Sequence, residues 1–220
     1  MERLDKTSAS LVQKKPARRN PEASKQSLID ATLDTIAEIG ITDTTVSSII
    51  QRAGLSRGMI HLHFGGKDNL LTSAAKYFNE KYYAEMDQQL ARADETPQEK
   101  IMAVVSADLG ETLLNERSTK IWHAFRGVAN SHPGIAKFSS TQDERLQSIV
   151  RQSFQQIADA KGTSDPKIVQ HATLGTLALL EGMWVHYLSD RDNFSRTDAV
   201  AMILRFLNGL FPGQFDPSDI

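Results

Sequence analysis

Residues 45–64, TVSSIIQRAGLSRGMIHLHF, contain a glycine that leaves the surrounding chain little choice of conformation. Apolar residues at 46, 49, 50 and 53 recur at helical spacing. Gly54 then supplies the left-handed backbone position on which a helix ends. Leu55 turns inward, and Ser56 is a good N-cap for a second short helix. Ile60 and Phe64, four apart, give that helix one buried stripe, and its other face shows Arg57, Met59, His61 and His63. Two short helices about a glycine bend make a helix-turn-helix, whose second helix can enter a DNA major groove. The same spacing also suits an ordinary corner between two helices of an all-α protein.

Composition narrows the setting. The chain has 220 residues, 40% hydrophobic and 24% charged, which is ordinary for a globular protein with room for a large core. Absence of cysteine excludes disulfides and thiolate metal sites and fits a reducing cytoplasm, the expected location. Residues 1–19 lack the apolar core of a secretory signal. The most hydrophobic window, 168–188, contains Gln170, His171, Glu181 and His186, so it suits a helix buried in protein and no membrane span. A net charge of −2 conceals an asymmetry: residues 1–70 hold ten Lys/Arg and eight Asp/Glu, residues 71–220 fifteen and nineteen. Lys14, Lys15, Arg18, Arg19 and Lys25 cluster with one acid, Glu22, among them. Such an arm either follows a phosphate backbone or is a solvated tail.

Taken in order, residues 1–19 read as a disordered basic arm. Asn20-Pro21 opens a first helix whose stripe Ile29, Leu33, Ile36 and Ala37 ends at Gly40. The two short helices follow. A fourth, from Lys67 to about residue 93, is roughly 40 Å long by helical rise and links the first three to the rest. Thr96-Pro97-Gln98-Glu99 is a capping box opening a helix to about residue 114. Another spans about 118–130, where NSHPG breaks it. A longer one ends near Gly162, and the last two run over 167–189 and 195–207. No strand pattern or repeat occurs. The expectation is an all-α chain of about nine helices: a three-helix unit over 20–66 and a helical domain over 67–212.

No enzyme site emerges. The six histidines are dispersed, and HExxH, GxSxG and GxGxxG are absent. Gly65-Gly66-Lys67 is no phosphate loop, because His61 and Asp68 stand where that motif needs Gly and Ser or Thr. No metal or cofactor is expected.

The series Ile39-Gly40, Thr45, Ile49, Ala53-Gly54-Leu55-Ser56, Gly58, His63-Phe64, Lys67 and Leu70-Leu71 resembles the TetR family of bacterial transcriptional repressors, over roughly residues 25–75. Trp122-His123-Ala124-Phe125 and Leu180-Glu181-Gly182-Met183-Trp184 resemble its choline-responsive BetI-type subgroup. Three positions depart from the family pattern: Ile50 replaces a usual alanine, His61 a usual tyrosine, and Gly66 a usual Ser or Asp.

The resemblance implies a ligand-released dimeric repressor on a palindromic double-stranded operator. Thr45 and Lys67 would contact phosphates at helix N-termini. Ser56, Arg57, Gly58 and Met59 would enter the groove, Arg57 reading guanine or holding phosphate and Met59 touching a thymine methyl. His61 would hold phosphate, and His63 is either a groove residue or interior packing. Trp122, Phe125, Trp184 and Tyr187, with Glu181, would form an aromatic cage for a quaternary amine such as choline or betaine aldehyde. The same aromatics at helical spacing also read as core, with Glu181 paired to an arginine across a dimer. The last two long helices, with Gly175 and Ala178 permitting close approach, would form the homodimer interface. A helical scaffold or ligand carrier without DNA binding is the alternative.

Overall fold

The computed structural model describes residues 20–93, 96–139, 144–163 and 165–215, so the basic arm lies outside the described residues. Those described form ten α-helices and one 3₁₀ turn, with no strand among them. The helices are α1 Pro21–Asp43, α2 Val46–Ala53, α3 Arg57–Phe64, α4 Lys67–Arg92, α5 Pro97–Leu109, α6 Glu116–Val128, α7 Pro133–Ser139, α8 Glu144–Lys161, α9 Ile168–Ser189 and α10 Arg196–Leu210, with the 3₁₀ turn Arg191–Asn193 before α10.

Local chemistry sets the boundaries. Asn20 accepts from the Glu22 backbone N–H, and α1 is broken at Gly40, where φ is 80°. Thr96 accepts from the Glu99 N–H at 3.3 Å, one half of the expected capping box, and its hydroxyl donates to the Glu99 carboxylate. The helix it opens stops at Leu109 and not near 114. A side chain at Gly110 would crowd the Ser106 carbonyl at 2.9 Å, and Asn115 restarts helix by accepting from the Ser118 N–H at 2.9 Å. Arg196 donates to the carbonyls of Leu109 and Leu114, groups that the break exposes. The segment expected only to break the chain also starts one more helix, α7. Pro133 is tolerated at its first turn, and Gly134 lets it cross α4, where a Cβ would lie 2.3 Å from Thr72 Oγ1.

Two apolar cores result. The first joins α1–α3 and the start of α4 to Ile121 and Phe125 of α6 and Ile135 of α7. The second is built from the far half of α4 and from α5, α8, α9 and α10. Helix α4 is buried in both, through Leu70 to Ala75 in one and Tyr83 and Met86 in the other. Helix α6 is shared in a different way. Ile121 and Phe125 face the first core, whereas Trp122, one position along, packs on the second. Arg117 adds an exposed ion pair to Asp34 of α1 at 2.7 Å.

Candidate functional site

The bend at 54 is built as its glycine demands. Gly54 is left-handed, φ 62° and ψ 35°, and its N–H returns to carbonyls of α2. Thr45 caps α2 reciprocally with Ser48: the Ser48 N–H donates to Thr45 Oγ1 at 3.1 Å, and the Thr45 N–H donates to Ser48 Oγ at 2.9 Å. Ser56 occupies the cap position of α3, but its hydroxyl makes no capping bond and stays exposed. Ile49, Ile60 and Phe64 are buried against α1 and α4, so α3 is fixed by its inner stripe. The Asn69 side-chain amide holds the Phe64 carbonyl at 2.8 Å and ties the end of α3 to α4. Ile50, where the family has alanine, is half-buried on this same core.

The outward face of α3 differs in part from the expected one. Arg57, Gly58 and His61 are exposed, as is Thr45, and none is covered by other described parts of the chain. Met59 and His63 come half inside. Four apart, they share a stripe beside Ile60 and Phe64 and not the outer face. His63 Nε2 is buried without a hydrogen-bond partner among the described residues, which fits interior packing and not the groove. Leu62 takes the outer place instead, at 74% exposure. Its signal was available: it lies five positions beyond Arg57 and one past His61, on the arc opposite Ile60 and Phe64. Lys67, half-buried, begins α4, whose cap position is Gly66 with no side chain to contribute.

The family follows from this geometry together with sequence likeness. Residues 28–74 match the bacterial regulatory proteins of the tetR family, and residues 97–212 match the C-terminal region of the BetI-type transcriptional repressors. The chain belongs to the TetR family. Among its relatives, the HTH-type transcriptional regulator BetI of Burkholderia thailandensis is 31% identical over 164 residues, 74% of this chain and 81% of that protein. The regulator BetI 1 of Chromohalobacter salexigens is 30% identical over 161 residues, 73% and 77% of the two chains. A crystal structure of a putative transcriptional regulator from Pseudomonas aeruginosa PAO1 superposes with a TM-score of 0.80 at 25% identity, covering 91% of this chain and 97% of that one. This TetR-family chain is a transcriptional regulator of the BetI type, as its relatives are, and not an enzyme. No helix among the described residues is long and apolar enough to cross a membrane.

The second candidate region is a cavity of about 140 Å³ between α4, α5, α6, α7, α8 and α9. Trp122, Trp184 and Glu181, three of the five residues expected of the cage, line it. Phe125 and Tyr187 do not. Phe125 points into the first core beside Phe78, because α6 turns it away from Trp122. Tyr187 packs edge-on to Phe194, with the Arg196 guanidinium 5.4 Å from its ring centre. Glu181 is ion-paired with Arg126 of the same chain, and Arg126 also lies 5.4 Å over the Trp122 ring. Sequence reasoning missed Tyr82 and Asp108. Tyr82 Oη donates to Asp108 Oδ1 at 2.7 Å, and Trp184 Nε1 donates to Asp108 Oδ2 at 2.9 Å. Burial pushes the Asp108 carboxyl up to about 6, the two hydrogen bonds opposing the rise. A signal existed: Ile101, Val104, Val105 and Asp108 fall on one helical stripe, so the acid belongs to the inner face of α5.

Proposed function

We propose that this regulator is a homodimeric repressor that holds a palindromic operator through α3 and is released when a small quaternary amine enters the α4–α9 cavity. Residues 20–66 would be the DNA-reading unit and 67–212 the effector and dimerisation unit. One observation supports this above all. Helix α6 presents Ile121 and Phe125 to the core beneath α3, and Trp122 and Arg126 to the cavity. A ligand that moves α6 therefore moves the platform on which α3 sits. The ligand must bind the DNA-incompetent state more tightly for release to follow.

On the DNA side, Arg57 is the leading base-reading residue and Thr45, His61 and Lys67 are phosphate contacts. Ser56, with its hydroxyl uncommitted, and Gly58, with no side chain to hold the backbone off, complete the entry of α3. For the dimer, α9 and α10 expose an apolar surface including Leu174, Val185 and Met202, with Ala178 and Gly182 between. A second copy of the chain covers such a face in this reading. Gly175 does not belong to it: a Cβ there would lie 2.2 Å from Phe206 Cζ, so its smallness serves α9–α10 packing within one chain. The test on the DNA side is operator titration with Arg57→Ala, which should lose about 1–3 kcal/mol per half-site. Unchanged specific binding would contradict the docking.

A further inference from the structure

Two acids line the cavity, and their circumstances are opposite. Glu181 is partly exposed and its charge is already met by Arg126. Asp108 is only 4% exposed, and both its oxygens face neutral donors, the Tyr82 hydroxyl and the Trp184 indole N–H. No Lys, Arg or His among the described residues forms an ion pair with it. A buried carboxylate lacking a counter-charge is expensive to keep ionised. Its two donors use one lone pair on each oxygen and fix the plane of the group, and the remaining lone pairs are free for something else.

The surroundings define what that is. Tyr82 and Trp122 each pack on Trp184, with ring centres 6.4 and 5.6 Å away, so π faces and a carboxylate converge on one small space. Faces of this kind attract cations. The volume, about 140 Å³, is well below the roughly 300–1,000 Å³ of pockets for drug-sized ligands, so the occupant has few heavy atoms. We propose that Asp108, and not Glu181, is the counter-ion that selects the effector: a small organic monocation seated between Asp108 and the rings of Tyr82, Trp122 and Trp184. This rests on the ligand-released reading above. The Arg126–Glu181 pair, neutral as a unit, contributes wall and not charge, and it ties α6 to α9 across the occupied cavity.

The experiment is calorimetric titration of the full-length protein with choline as probe, beside its neutral carbon analogue 3,3-dimethylbutanol. The wild type should prefer choline by at least about 30-fold, the scale of a buried charge pair losing one partner. Asp108→Asn keeps the fold, because its carbonyl can accept from Trp184 and its amide can donate to the Tyr82 oxygen. It should lose at least about 30-fold in choline affinity while binding the neutral analogue undiminished. Glu181→Gln should stay within about 5-fold of wild type, as for a partly exposed ion pair. Wild-type choline affinity in Asp108→Asn, or collapse in Glu181→Gln alone, would overturn the assignment and leave amine-triggered release standing. Equal wild-type affinity for choline and the neutral analogue would overturn it without any variant. Failure of the wild type to bind either choline or tetramethylammonium would overturn both readings.

Discussion

Asp108 shows how a single side chain can be kept against the interest of the fold. An ordinary aspartate titrates near 4, and burial moves this one up to about 6. Between those values the folded chain holds a proton that the unfolded chain has released. Stability therefore falls as pH rises through that window, and the loss is complete above it. The two-unit span corresponds to about 3 kcal/mol. Asp108→Asn removes the ionisable group, so at about pH 8 it should unfold at higher denaturant concentration than wild type. The gap should narrow as pH falls and close below about pH 3, where the wild-type group is protonated in both states. A gap independent of pH would show that the carboxylate is not what strains the core. Individual residues were only partly legible in the sequence. Arg57 and His61 stand where helical spacing places them, whereas Met59 and His63 turned inward because an eight-residue helix has two stripes near its core. Asp108 escaped notice because an acid on a helix is unremarkable until its stripe is counted.

At the scale of elements, legibility followed the strength of local signals. Gly54 and Thr96 each fix a boundary that the sequence marks, by hydrogen bonds that the structure contains, whereas the reciprocal cap between Thr45 and Ser48 was not read from the sequence. Helix α7 was not legible, because His132-Pro133-Gly134 reads as a break when the glycine's role, approach to Thr72 on another helix, lies 62 positions away in sequence. Gly175 makes the same point. Its neighbour is Phe206 of α10, a contact that only the fold supplies. Gly175→Ala should accordingly displace the Phe206 ring and destabilise the chain by about 1–2 kcal/mol, read as a lowered denaturant midpoint. Because the contact is within one chain, this loss should be the same at every protein concentration. A loss that vanishes on dilution would place Gly175 at a subunit contact instead.

For the whole molecule, the proposed function requires helix α6 and the face of α9–α10 to turn local events into a change of DNA affinity. Residue 66 marks where the motif ends, yet the first core reaches across it to Ile121, Phe125 and Ile135, the packed route that the proposed release would use. The proposed dimer matters here, since one α3 makes few base contacts. Leu174→Glu should break the proposed dimer through the exposed apolar face, seen as a halved mass in sedimentation and a loss of cooperative operator binding. A stable dimer in that variant would move the interface elsewhere. Coupling between cavity and operator is the claim on which the rest depends. It is tested most directly by measuring operator affinity of the wild-type protein with and without saturating choline, with choline occupancy verified in the same samples. The account predicts that choline weakens operator binding by about 5- to 150-fold, the usual range for coupled sites. Full choline occupancy with operator affinity unchanged would contradict it.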